Sequence, residues 1–160
     1  MILKELNERV KILQDIEEIK QMHRNYLYGL STCEWEKMVD YFAENAEAYI
    51  ARHDLPDEYD IAKGKENIRT MLKDGIGKRV ATHRPRGGHL LIQPVISVQG
   101  DTAKGHWLMS RFTYATHLPG RFPPRLDKGR YDVEYVREDG EWKFRYLKWT
   151  CPWPEPEKNI

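Results

Sequence analysis

Cysteine is scarce in this chain, and no stretch of it is long and apolar. The 160 residues include two cysteines, Cys33 and Cys151. Their separation fits no metal-ligand spacing, and one pair of thiols is no disulfide framework, so a reducing compartment is the expected setting. No metal is expected from that spacing. No apolar run reaches the ~18–20 residues that a membrane span needs, so a membrane is not an expected partner. The chain is charged from Lys4 onward, which does not read as a signal peptide. The expected location is cytoplasmic. An excess of one charge sign is lacking too: 26 Lys and Arg face 25 Asp and Glu. Such a balance gives little attraction to phosphate backbones, so nucleic acid is not an expected partner either. The basic cluster HRPRGGH at 83–89 is short and reads as a solvated loop. There is no internal repeat and no low-complexity segment.

What is present suits one domain over 1–160, long enough to bury a core unaided. Leu3, Leu6, Val10 and Leu13 recur at spacings of three and four, and Ile16, Ile19, Met22 and Tyr26 continue an apolar stripe. That period predicts a long helix, packed on the core or, before Ile16, reaching a neighbouring subunit. Ser31 and Thr32 mark a break, and Trp35 opens a second helix whose apolar face is Trp35, Met38, Val39 and Phe42. Ala46–Ala51 reads as a short strand and 52–64 as a loop. Lys65–Leu72 reads as a third helix closed by the glycines at 75 and 77.

The second half is strand-like. His89–Val98 is interrupted by Pro94 and is expected to bulge or to lie on an edge. A turn at Gln99-Gly100-Asp101 leads into a long strand, Ala103–Thr116. Residues 118–128 read as a proline-rich loop, a candidate lid. Arg130–Val136 and Trp142–Thr150 form a hairpin around Glu138-Asp139-Gly140. The tail 151–160 carries three prolines and is expected to be irregular. Helices first and strands after give an α+β fold. The expected shape is a cone, a curved antiparallel sheet wrapped around the N-terminal helices, with a cavity at the wide end for a small molecule.

The order of DIEEIK, Tyr26, Trp35 and Phe42 at the front and DGEWKF at 139–144 resembles the nuclear transport factor 2 superfamily. More narrowly it resembles the SnoaL-like branch, to which scytalone dehydratase and bile acid 7α-dehydratase belong. The resemblance spans roughly residues 12–150. It implies a cofactor-independent lyase that removes a proton and expels a leaving group through a His–Asp pair.

Carried over residue by residue, the resemblance puts the catalytic histidine at His89, an imidazole able to act as base and then as acid. His83, six residues earlier, is expected to be solvated or at the pocket rim. Tyr26 matches a pocket tyrosine whose hydroxyl would bond a substrate oxygen, and Tyr49 falls near a second one. The family's acidic partner, four residues before Trp35, is Ser31 here. Another pocket acid aligns with Arg111, so a negative site becomes positive and suits a carboxylate, phenolate or enolate. Trp107, Met109 and Arg111 share a strand face by parity, as do Gly129, Tyr131 and Val133. Tyr131 stands where the family has a polar pocket residue. Leu147-Lys148 matches a family pair, with Lys148 lining the pocket or facing out.

The expected function is therefore a dehydratase-like elimination on a small hydroxylated, aromatic substrate. His89 is the base, Tyr26 and Tyr131 bind the oxygen, and Arg111 stabilises negative charge; Trp107, Met109, Tyr49 and Lys148 are substrate contacts. With the acid lost, four alternatives stay open: a non-catalytic small-molecule binder, a lyase expelling formaldehyde or carbon dioxide, a polyketide-cyclase-like enzyme, against which the lost acid also counts, and an interaction module without a pocket, which would fill the cone with bulky apolar residues. A homo-oligomer, trimer or dimer, is expected. The tail Trp149, Pro152, Trp153 and Pro154 is expected to cap the cavity or pack on an adjacent subunit.

Overall fold

The computed structural model describes residues 2–52, 58–78, 85–115 and 125–153, with the backbone alone at 85–87, 113–115 and 125. His83, most of the proline-rich loop and the last seven residues lie outside the described residues. Helix α1 (Ile2–Thr32) is followed by α2 (Trp35–Val39), strands β1 (Phe42–Ala51) and β2 (Tyr59–Lys63), then α3 (Lys65–Thr70). A π-helical segment, Met71–Gly77, extends α3. Four strands follow: β3 (Pro85–Gln99), β4 (Thr102–Ala115), β5 (Arg125–Glu138) and β6 (Glu141–Thr150).

The helix-type period gives way to strand alternation after α3, and the architecture follows that change. The six strands form one curved sheet in the order β2-β1-β6-β5-β4-β3. Sequence-adjacent strands β3 to β6 pair antiparallel, and tight turns with positive φ at Gly100 and at Asp139 and Gly140 join β3 to β4 and β5 to β6. Both central residues of the second turn have φ above zero, which matches the right-handed twist of the strands it joins. The sheet is not purely antiparallel: β1 runs parallel to β6. Residues 59–63, read as loop, add β2 at the far edge. Residues 125–128, also read as loop, begin β5. The helix expected to stop at Gly75 and Gly77 widens into π turns through them. Pro94 does both things its chemistry allows: β3 is the edge strand, and its ladder shifts register between Ile92 and Val95, with Gln93 at φ 52°.

Alternation decides which side chains enter the cone. On the inner face lie Ala103, Trp107 and Met109 of β4, Tyr131, Val133 and Tyr135 of β5, and Trp142, Phe144, Leu147 and Trp149 of β6, all buried. Helix α1 lies against them through Ile19, Met22, His23, Tyr26 and Leu27. Residues 2–14 are all exposed, and burial begins at Asp15, which pairs with Arg137. Leu3, Leu6, Val10 and Leu13 therefore run past the domain rather than into its core. The Arg137 guanidinium also stacks on Trp142, 4.6 Å from its ring centre, so this buried carboxylate is paired where the helix leaves the body.

Candidate functional site

One row of polar residues crosses the inner face near the end of the sheet remote from the β3–β4 turn. His89 of β3 is the cross-strand neighbour of Arg111 on β4, and Arg111 is the neighbour of Asp127 on β5. Side chains at aligned positions of adjacent strands share a face, so His89 and Arg111 look into the same space, as expected from sequence. Arg111 Nη2 donates to Asp127 Oδ2 at 2.7 Å, and Asp127 is buried. Asp127 went unrecognised in the sequence, although it stands two and four residues before Gly129 and Tyr131 and so shares their parity.

Ser31 reaches His89 from the last turn of α1. Its Oγ lies 2.9 Å from His89 Nδ1 and donates to the Leu27 carbonyl at 3.1 Å. A hydroxyl has one proton. With that proton on Leu27, the Nδ1–H of His89 must be the donor to Ser31 Oγ, and the lone pair is left on Nε2. Sequence reasoning took Ser31 as unable to support His89. The structure corrects half of that: the hydroxyl orients the ring and selects its tautomer, but being neutral it adds no charge to favour an imidazolium. Burial first, and Arg111 second, lower the His89 pKa to about 4.

Deeper in the cone, Tyr26 and Tyr131 are almost fully buried. Burial raises both phenols, and Tyr131 also feels Tyr26, which raises it further, and Arg111, which lowers it. Trp107 and Met109 occupy the predicted face, and the Trp107 indole N–H donates to Tyr135 Oη at 2.8 Å. Trp149 lies against Tyr131 with ring centres 4.7 Å apart. Gly129 makes room for it, because a Cβ there would fall on the Trp149 ring. The interior of the cone is thus lined and largely filled by aromatic rings.

Two expected contacts are not in this site. Tyr49 lies on the outer face, its ring 5.4 Å from that of Tyr146 and its hydroxyl donating to Glu47 at 2.8 Å. Lys148, its partner across the β1–β6 ladder, also faces out, with its ammonium 5.0 Å from the Tyr59 ring centre. Alternation explains both, since Ala48 and Leu147 next to them are the inward residues. Trp153 turns outward as well, beneath the charges of Lys128 and Arg130 on the outer face of β5.

His23 was missed. It is fully buried in α1, with Nδ1 3.0 Å from Tyr135 Oη and with Nε2 unpartnered. Its spacing from Ile19 and Tyr26, four and three residues, already put it on the inward stripe. Burial lowers its pKa to about 3, and an unpartnered buried donor costs roughly 1–3 kcal/mol. Two open grooves lie elsewhere: one of about 350 Å³ at Cys33–Lys37 and Lys73, and one of about 590 Å³ between α1 and the β5–β6 hairpin. Neither contains the His89 row. Among the described residues no three His, Cys, Asp or Glu side chains gather as a metal would require. No described helix is long and apolar enough to cross a membrane.

A family model described as a SnoaL-like domain matches residues 11–148. No curated protein matches. Solved structures do. One is an NTF2-like protein with a cystatin-like fold from Novosphingobium aromaticivorans, 20% identical, with a TM-score of 0.70 over 92% of this chain and 88% of that one. Another is a candidate scytalone dehydratase from the same organism, 22% identical, with a TM-score of 0.69 over 87% of this chain and 85% of that one. A third is ActVI-ORFA from Streptomyces coelicolor, 16% identical, with a TM-score of 0.65 over 85% and 96%. At these identities the likeness is one of fold.

Proposed function

The chain belongs to the SnoaL-like family, and on that premise we propose a cofactor-independent lyase acting on a small hydroxylated aromatic compound. The observation that carries it is the 2.9 Å hydrogen bond between Ser31 Oγ and His89 Nδ1, which orients the imidazole beside Arg111 and leaves Nε2 to act as the base. His89 Nε2 takes a proton next to a carbonyl. The electron pair moves onto the carbonyl oxygen, held by the Tyr26 and Tyr131 hydroxyls. When the carbonyl re-forms, the neighbouring hydroxyl leaves and takes up the proton from His89, so that water is expelled. A leaving fragment of formaldehyde or carbon dioxide fits the same residues.

Charge defines the substrate further. A base with a pKa near 4 is weak at neutral pH. Arg111 is already balanced by Asp127, so positive charge is not in large surplus. A phenolate or carboxylate beside His89 would raise its pKa toward the working range by stabilising the imidazolium. An anionic substrate thus supplies part of what the family's acid supplies elsewhere. The second reading, a protein that only binds such a compound, draws on the Arg111–Asp127 pair and on the aromatic filling of the cone. On either reading we propose a cytoplasmic location, a reducing setting in which Cys33 and Cys151, not joined in a disulfide, stay reduced.

The test is turnover of a panel of β-hydroxy carbonyl compounds carrying a phenol ring, followed by the ultraviolet absorbance of the conjugated product. With any compound that reacts, His89→Ala lowers kcat by about 10²–10⁴ and Arg111→Met by roughly 10²–10³. Tight binding of panel members without turnover overturns the lyase in favour of the binder, and turnover indifferent to His89→Ala overturns His89 as the base.

A further inference from the structure

We propose that residues 2–14 of one copy of this chain lie across the outer face of β3, β4 and β5 of a second copy. The contact is independent of the chemistry at the His89 row.

The described residues leave two apolar surfaces uncovered, and the two match. The first is on α1, where Ile2, Leu3, Leu6, Val10 and Leu13 are 44–83% exposed. At 3.6 residues per turn they fall within about 100° of arc, the width of a helix face that packs on a core. This segment continues α1 without a break, and the buried part of α1 lies on the inner face of the sheet. A straight helix held there cannot turn back onto the outer face of its own body. The second surface is formed by Leu90, Ile92, Val95, Phe112 and Leu126, 43–76% exposed on the outer face. It runs from the Val95–His106 pair to the Phe112–Leu126 pair. That stretch of β4 is about 20 Å long, and the three strands are spaced about 4.8 Å apart. Residues 2–14 as helix are also about 20 Å long, and a helix is roughly 10–12 Å across.

Charge does not oppose the contact. Beside the helix stripe, Arg9 is paired with Glu5 at 2.8 Å. At the margin of the sheet patch, His106 and Arg130 are both paired with Asp132. Docking therefore strands no charge. Pairing of the helix with its own kind fits the residues less well. Leu3, Leu6, Val10 and Leu13 supply about two heptads of a seam, and a coiled coil takes roughly three or four. The flanking positions are Asn7, Arg9 and Gln14, which set no opposite charges across such a seam. The giving and receiving surfaces differ, so each copy gives one helix and accepts one, in a ring of three or a reciprocal pair. A copy that both gives and accepts buries two such contacts, which brings it toward the ~800 Å² per partner of a stable interface.

The test is crosslinking between differently tagged full-length copies, co-expressed with Cys33→Ser and Cys151→Ser in both. One copy carries Val10→Cys on the helix and the other Leu90→Cys on the patch. Both positions are exposed, so the fold is kept, which tryptophan fluorescence checks. A short bis-maleimide reagent should join the two copies to each other, and each variant expressed alone should give little product. Leu6→Glu puts a charge into the contact, and light scattering should show its assembled mass falling to that of the monomer. Product from Val10→Cys alone indicates helix pairing, and product from Leu90→Cys alone indicates stacking of two outer faces. Either of these without the joined pair overturns the proposal. So does a wild-type monomer at micromolar concentration, or a Leu6→Glu variant that assembles like the wild type.

Discussion

Acid should destabilise this protein through a single buried ring, and the size of the effect can be worked out. His23 has its pKa lowered from 6.5 to about 3 by burial. Its folded-state pKa is depressed, so the folded protein keeps it neutral while the unfolded chain protonates it. Unfolding takes up one proton across that window. The stability it contributes is complete above about pH 6.5 and is lost as pH falls toward 3. The slope is roughly 1.4 kcal/mol per pH unit, so from about pH 6.5 to about pH 4.5 the loss is on the order of 3 kcal/mol. Against a typical total of about 5–15 kcal/mol that is large. Urea unfolding followed by tryptophan fluorescence, at closely spaced pH values, measures it in the wild type and in His23→Phe. The surface carboxylates titrate alike in both proteins and cancel in the difference. The wild-type curve should fall more steeply by roughly 1.4 kcal/mol per unit, and parallel curves would refute a buried, neutral His23. His89→Gln should remove a second contribution of the same sign, confined to the window between 6.5 and about 4.

Two further outcomes test the geometry. Gly129→Ala puts a methyl on the Trp149 ring and within 2.5 Å of the Thr150 carbonyl oxygen; overpacking of this kind costs roughly 1–3 kcal/mol, so the midpoint of thermal unfolding should drop by several degrees, and an unchanged midpoint would contradict the stacking of Trp149 on Tyr131. Leu90, Ile92, Val95, Phe112 and Leu126 are large apolar side chains exposed on the outer face of β3, β4 and β5, and we expect them to be covered in a homo-oligomer, a trimer ahead of a dimer; light scattering should show Ile92→Glu reducing the assembled mass, and a wild-type monomer at micromolar concentration would refute it.

The two periods in the sequence determined the fold. A spacing of three and four up to about residue 75 specified the helices, and alternation after it specified strands whose inward members could be named: Trp107, Met109, Arg111 and Tyr131 are all on the inner face. Side-chain direction along a helix or strand depends only on local geometry, so residue order suffices. Position 23, four from Ile19 and three from Tyr26, was legible by the same rule. The turns were legible too, because Gly100 and Asp139-Gly140 carry the conformations they require.

Partners across strands were decided by the tertiary structure. Nothing in the order of residues states that Asp127 meets Arg111, or that Ser31 at the end of a helix meets His89 on a strand 58 residues later. Those contacts depend on ladder register and on where the helix crosses the sheet, and a shift of one residue would send each side chain to the opposite face. Tyr49 and Lys148 show the same sensitivity: the residues beside them point inward, and they point out. The protonation pattern of His23 and His89 lies still further from sequence, since it depends on which lone pairs the fold leaves unfilled. The sequence fixes the pool of imidazoles, phenols and carboxylates, and only packing at ångström distances determines which of them are neutral, oriented and without a partner.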